Sequence, residues 1–293
     1  MKLSSTTISR FQRRILNRWK LQRSSERRVP SVGIASGKGG TGKTFTTVNL
    51  AVLLAPSIGP VQIFDTDLGL GNAHLHLGLK PERHLDKFFE GKVGLDRLVL
   101  ESPYEVSVLP GGSGISRLAQ LGQAELRMLA RSLPAILEDK SIQLIDSAAG
   151  ISPQTLLFLQ HTDLVLLVVT PHLASLTDAY ALIKCLILRK SASRMLVLVN
   201  RADHEEQALE AFSRIRKVSC QFLSFPVHYL GCVPEDRAVQ PALAAKVPVV
   251  IRSPHSSASR ALGLAARKLK SLLMESEEDW SGPGFAESLG GSV

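Results

Sequence analysis

Short apolar runs at residues 32–35, 61–64, 142–145, 164–169, 195–199 and 229–233 punctuate the chain. Within each run the apolar residues are nearly continuous rather than alternating with polar ones, as in strands covered on both faces. Residues 105–109 predict one more strand. Between the runs lie segments long enough for crossover helices, at 43–55, 125–138, 174–189 and 205–217, and a last helical pattern covers 256–274. Pro134 falls inside the second of these and is expected to kink or split it. This alternation predicts an α/β fold, a mostly parallel central sheet with helices on both faces.

Charge divides the chain differently. Residues 1–29 hold nine Lys or Arg against Glu26 alone, a basic head of +8. Residues 275–293 hold five acidic residues and no basic ones, which leaves +6 of the total +9 for the stretch between. The expected organisation is a basic extension at 1–29, one domain over 30–274 and an acidic tail at 275–293. The Gly- and Ser-rich part of that tail, 281–293, is expected to be disordered. In the head, Ile8, Phe11, Ile15 and Trp19 fall on one helical face with arginines largely elsewhere. Such a basic amphipathic helix suits an anionic membrane or an acidic groove. A solvated tail or a transit peptide is the alternative. No apolar run approaches the roughly 20 residues that cross a bilayer, and no secretion signal is expected. Cys185, Cys220 and Cys232 are far apart, which argues against disulfides or a metal cluster and fits a reducing cytoplasm.

Candidate chemistry sits at the ends of the apolar runs. After the first comes Gly37-Lys38-Gly39-Gly40-Thr41-Gly42-Lys43-Thr44, with the spacing GxxxxGK(S/T) and a helical pattern opening at its end. Glycines let the backbone turn its N–H groups around phosphate oxygens, and the positive end of the helix favours the anion. Lys43 is expected on the β- and γ-phosphates of ATP and the Thr44 hydroxyl on Mg²⁺. Gly37, Gly39, Gly40, Thr41, Gly42 and Thr46 complete the expected nucleotide-binding loop. Lys38 is a second lysine in the same glycine run. Two ammonium groups aimed at one set of phosphates would crowd each other, so Lys38 is expected to reach the nucleotide of a facing subunit; a solvated loop lysine is the plainer alternative.

The second run ends in Asp65-Thr66-Asp67-Leu68-Gly69-Leu70-Gly71-Asn72, at the carboxyl end of a strand, where open α/β sheets bind ligands. Two aspartates one residue apart can divide the work near Mg²⁺ and an attacking water. The run at 142–145 leads to Asp146-Ser147-Ala148-Ala149-Gly150, an apolar strand ending in a carboxylate. This Walker B pattern places Asp146 near the metal, and Gly150 is expected to offer its N–H to the γ-phosphate. His74 and His76 lack a third ligand nearby, so a structural role is expected for them.

The loop KGGTGKT and the string DTDLGLGN resemble the deviant Walker A loop and first switch of the MinD/ParA family of P-loop ATPases, and the likeness extends over about residues 32–268. The resemblance implies that Lys38 acts across a homodimer interface beside Lys43 and that Asp67 positions the nucleophilic water. It implies that Asp65 supports the metal region with Thr44 and Asp146. It also implies that two turns frame the adenine, one through Asn200 and Arg201, the other through Pro234, Glu235 and Asp236. Within the family, residues 67–72, 146–152, 170–171 and 175–184 look most like flagellar-number regulators of the FlhG type. Those proteins are ATP-dependent dimers that bind membrane and limit flagellar assembly. The implied partners are a second copy, an FlhF-like GTPase or a flagellar transcriptional activator, and an anionic membrane reached through the head. The implied location is the cytoplasm, with reversible attachment to the inner membrane. Two features depart from that pattern. The head keeps only Gln12 and Leu16 of the motif that stimulates the GTPase. The acidic residues 277–279 stand where a basic membrane helix usually lies. Two other readings stay open: a ParA-type partition ATPase that binds DNA nonspecifically, which the +6 body permits, and a nucleotide-bound scaffold without hydrolysis, against which Lys43, Asp67 and Asp146 speak.

Overall fold

The computed structural model describes residues 29–275 other than 113–117, 119, 120, 190 and 192, and beyond them Phe285, Ser288 and Leu289. The amphipathic pattern at residues 8–19 and most of the tail lie outside the described residues.

Among the described residues, eight strands form one sheet: β1 (Ser31–Ala35), β2 (Val61–Asp65), β3 (Leu100–Glu101), β4 (Val106–Leu109), β5 (Ile142–Asp146), β6 (Leu164–Val169), β7 (Arg194–Ala202) and β8 (His228–Pro234). Their spatial order is β3-β4-β2-β5-β1-β6-β7-β8, and every pairing is parallel except that of β3 with β4. The parallel pairings need crossovers, and the helices supply them: α1 (Lys43–Ile58), α2 (Ala73–His76), α3 (Leu85–Phe89), α4 (Gln123–Leu137), α5 (Pro153–Gln160), α6 (Leu173–Leu188), α7 (Glu205–Leu223), α8 (Val239–Ala244), α9 (Val249–Arg252) and α10 (Ser257–Glu275).

Alternation along the strands sorts the core into two faces. Val32, Ile34, Val61, Ile63 and Leu144 pack with α1 and α10 on one side. On the other, Val165, Leu167, Val197 and Val199 meet α5, α6 and α7, while Phe64, Leu109 and Ile145 meet α3 and α4. Because both faces are covered, the strands need no polar side, which explains the continuous apolar runs.

Several boundaries differ from expectation. The strand expected at 105–109 begins at Val106, because Glu105 takes a left-handed φ of 56°. The helix expected at 125–138 is one unbroken helix, α4, rather than two, with Pro134 in its last turn. The helix expected at 205–217 runs on to Leu223, where Ser224 turns left-handed and the Ser219 hydroxyl donates to the Phe225 carbonyl. The largest difference is in the tail. Phe285, Ser288 and Leu289 are helical rather than disordered, with Phe285 and Leu289 buried. Phe285 lies 6.4 Å from the Phe158 ring and Ser288 Oγ lies 2.6 Å from His161 Nδ1. Their spacing, i, i+3 and i+4, makes one helical face that fills the groove beside α5, a signal that the Gly and Ser content of the tail obscured.

Candidate functional site

The register of the sheet brings the candidate groups together. Asp65 and Asp146 are direct neighbours at the carboxyl ends of β2 and β5, and Asp146 pairs in turn with Ile34 of β1, just before the glycine loop. Both lie on the face that carries α1, whose first two turns hold Lys43, Thr44 and Thr47.

The Lys43 ammonium is buried and donates to Ser36 Oγ at 2.9 Å, while the Ser36 hydroxyl donates to the Lys38 carbonyl at 2.6 Å. Burial lowers the Lys43 pKa, and Asp146, Asp67 and Asp65 oppose that shift. Asp146 is pushed up to about 6 by burial, against the Thr44 hydroxyl, the Lys43 charge and Thr47, whose Oγ1 is 3.0 Å away. Asp65 is raised well above the usual carboxylate range, first by burial and then by its neighbour Asp146. Two buried carboxylates side by side cannot both ionise cheaply without a compensating cation.

Asp65 also has a structural task. Its Oδ1 accepts from the Asp67 N–H at 3.1 Å and its Oδ2 from the Ala73 N–H at 3.0 Å, so one side chain holds both ends of the loop 67–73. Asp67 stands on that loop, partly exposed, with its Oδ1 accepting from the Leu70 N–H. Beneath the loop runs a segment that the sequence reading missed. A Cβ on Gly111 would lie 2.7 Å from the Asp67 carbonyl oxygen, and one on Gly112 would strike the Leu68 carbonyl, so only glycine lets β4's exit pass so close.

The phosphate loop is braced from the far half of the sheet. Asn200 Nδ2 donates to the Thr41 carbonyl at 2.8 Å, and a Cβ on Gly42, whose φ is 93°, would strike that amide. Asn200 was expected at the adenine; its amide holds the loop. Gly150 was expected to direct its N–H at a γ-phosphate. It adopts φ 87° and donates to the Ser36 carbonyl at 3.0 Å, tying the loop after β5 to the loop after β1. Lys38, Gly39 and Gly40 project outward, exposed, and Cβ atoms on Gly39 and Gly40 would meet nothing. The hydroxyls of Thr41 and Thr46 are buried without a hydrogen-bond partner.

The second expected adenine turn carries a surface ion pair and a helix cap. Arg201 Nε pairs with Glu235 Oε2 at 2.8 Å on the surface, beside Pro234 at the end of β8. Asp236 accepts from the Ala238 N–H, the Ser257 hydroxyl and the Ala258 N–H, and these bonds hold its pKa down at about 2. Its carboxylate therefore serves the N-terminus of α10. His74 and His76 lie on α2 without a third ligand, and no group of three metal-ligating side chains occurs among the described residues.

A glycine loop between β1 and α1, a buried lysine and carboxylates at the ends of β2 and β5 define a P-loop nucleotide-binding protein. The comparisons narrow this class. Residues 32–249 match the family model of the CobQ/CobB/MinD/ParA nucleotide binding domain. The chain is 35% identical to the antiactivator FleN of Pseudomonas aeruginosa over 243 residues, 83% of this chain and 87% of that protein. It is 30% identical to the flagellum site-determining protein YlxH of Helicobacter pylori over 203 residues, 69% of this chain and 68% of that one. Among solved structures, the septum site-determining protein MinD of Pyrococcus horikoshii, complexed with Mg-ADP, superposes with a TM-score of 0.70 at 26% identity, covering 84% of this chain and 97% of that one. The chain belongs to the MinD/ParA family of P-loop ATPases, and its curated relatives include flagellar members of that family.

Proposed function

We propose that this protein is a Mg²⁺-dependent ATP switch that self-associates in its ATP state and sets the number or placement of flagella or a similar cell structure. The observation that carries the reading is the division between its two loop lysines: Lys43 is buried against Ser36 within reach of three carboxylates, whereas Lys38 is exposed on the outside of the same loop. One lysine serves the phosphates held by its own chain. The other is free for phosphates held by a second copy. Exposed Leu70 and Ile151 stand on the loops after β2 and β5, exposed Leu173 opens α6, and together they supply apolar area at that end of the molecule.

The chain's own groups suit the chemistry. Residues 37–44 would cradle the triphosphate, and the unpartnered Thr41 and Thr46 hydroxyls leave hydrogen-bonding capacity beside it. Thr44 and Asp146 would hold Mg²⁺, with Asp65 behind them, and the metal supplies charge neutralisation between the phosphates. A cation there offsets the burial, and after it the neighbouring carboxylates, that raise the Asp65 and Asp146 pKa values. Asp67, on a loop pinned by Asp65, would orient the attacking water. Loss of the terminal phosphate removes the charge that Lys38 of a second copy grips, so the associated state lasts only as long as that phosphate. Resemblance to FleN and YlxH supports the flagellar reading. The basic head would supply membrane attachment from the cytoplasm, and an FlhF-like GTPase or a flagellar activator would read the associated state.

Deletion of the gene in a flagellated host should change the number or position of flagella. Wild-type protein should restore the pattern and Asp67→Ala should not. Unchanged flagellation in the deletion strain would refute the flagellar assignment while leaving the ATP switch to be judged by its biochemistry.

A further inference from the structure

At the end of the sheet opposite the phosphate loop, the first residues of β7 and β8 and the last turns of α10 enclose a cleft of about 520 Å³. Its origin lies in the register. Val197 pairs with Tyr229 but Leu198 with Gly231, so Leu230 is an extra residue in β8. Such a bulge bends a strand and re-aims its side chains. β8 is also the outermost strand, so the cleft lies at the sheet's edge.

The lining is of two kinds. Leu196, Leu230 and Leu272 are apolar, and Tyr229 adds a ring tilted against Phe212 at 5.0 Å between centroids. Around them stand Arg194, His228 and Lys268, with the Lys268 ammonium 5.8 Å from the centre of the Tyr229 ring. No Asp or Glu lines the cleft. Among the described residues Lys87, Lys92, Lys140, Arg201 and Arg214 pair with carboxylates, whereas Arg194, His228 and Lys268 do not. A concave surface with cations of one sign around an apolar, aromatic wall focuses positive potential where an apolar body can also be buried.

We propose that this cleft binds a planar organic anion, its aromatic body seated among Leu196, Leu230, Leu272 and Tyr229 and its carboxylate or phosphate held by Arg194 and Lys268. The guanidinium fork matches either anionic group. The volume falls within the range of small-molecule sites. The cleft involves only His228, Tyr229 and Leu230 of β8 rather than following the strand to Pro234, which matches a compact ligand and not an added peptide strand.

The test is methyl NMR on the full chain, leucine-labelled and saturated with Mg-ADP so that the phosphate loop is filled. The probes are 2-naphthoate, 2-naphthyl phosphate, neutral 2-naphthamide and the acidic peptide Glu-Glu-Asp-Trp, the sequence of residues 277–280. Saturable shifts of the Leu196, Leu230 and Leu272 methyls are expected with both anions, and the stronger of the two identifies the acid class. The amide should bind at least about tenfold more weakly. The double variant Arg194→Gln/Lys268→Gln should lose about tenfold for the anions while keeping its melting temperature and its response to the amide. No saturable shift at millimolar probe, or equal binding of the amide, would overturn the proposal. So would a response confined to the acidic peptide Glu-Glu-Asp-Trp, which would make the cleft a protein-docking site.

Discussion

The loops after β1, β2 and β5 and the loops after β7 and β8 lie at the same end of one sheet, yet they handle polar groups in opposite ways. The first set concentrates a buried ammonium, two adjacent buried carboxylates with raised pKa values and two unpartnered hydroxyls. The second set satisfies itself: Arg201 pairs with Glu235 in solvent, and Asp236 is held by three donors around the start of α10. A group left strained in the free protein gains when a ligand relieves it, whereas a satisfied group gains nothing. The first set therefore holds the groups that a bound ligand would relieve, and the second holds groups already paired within the chain.

The comparison can be broken most directly at Lys43. Lys43→Ala should reduce kcat/KM for ATP by about 10²–10³-fold, measured by phosphate release, without unfolding the protein. Next comes Asp67→Ala, which should lower kcat by about 10²-fold or more while nucleotide affinity, measured calorimetrically, stays near the wild-type value. That split would place Asp67 in the chemical step rather than in binding.

Asp146→Asn sharpens the contrast through pH. A carboxyl group whose pKa is raised on folding contributes stability that is present below the ordinary carboxylate range and lost as pH rises through the folded value, about 6 here. The nucleotide-free Asn variant should thus exceed the wild type in stability at pH 8, by on the order of 3 kcal/mol, with little advantage at pH 4. It should also lose Mg²⁺-dependent nucleotide binding. Equal stability differences at both pH values would remove the argument that burial strains this carboxylate. Asp236→Ala should do the opposite at the other turn, costing about 1 kcal/mol of stability with kcat unchanged. Because Asp236 is depressed to about 2, its contribution is present above the usual carboxylate range and disappears as pH falls through that value. A large loss of nucleotide affinity in this variant would restore the turn to the binding site.

The same contrast explains what could be read from the residues alone. Continuous apolar runs reveal the buried parallel strands, and a glycine loop between strand and helix reveals phosphate chemistry, because both signals are local. The supports of the site are not local. Ser36 and Thr47 are ordinary hydroxyls until folding sets them against Lys43 and Asp146. Gly111 and Gly112 look like any turn until the loop 67–73 lies across them. Asn200 and Asp236 were expected at the adenine from the family resemblance, which carries no information on what else their side chains hold. In this fold Asn200 meets a loop 159 residues away in sequence, and Asp236 caps a helix beginning at Ser257. The tail misled for the converse reason: composition dominated over the i, i+3, i+4 spacing of Phe285, Ser288 and Leu289.

Sedimentation velocity on wild type, Asp67→Ala and Lys38→Ala, each with Mg-ATP or Mg-ADP, bears most directly on the ATP switch. Asp67→Ala should sediment as a dimer with ATP and as a monomer with ADP, and Lys38→Ala as a monomer with either. A species of one size for all three proteins, whichever nucleotide is present, would contradict the account.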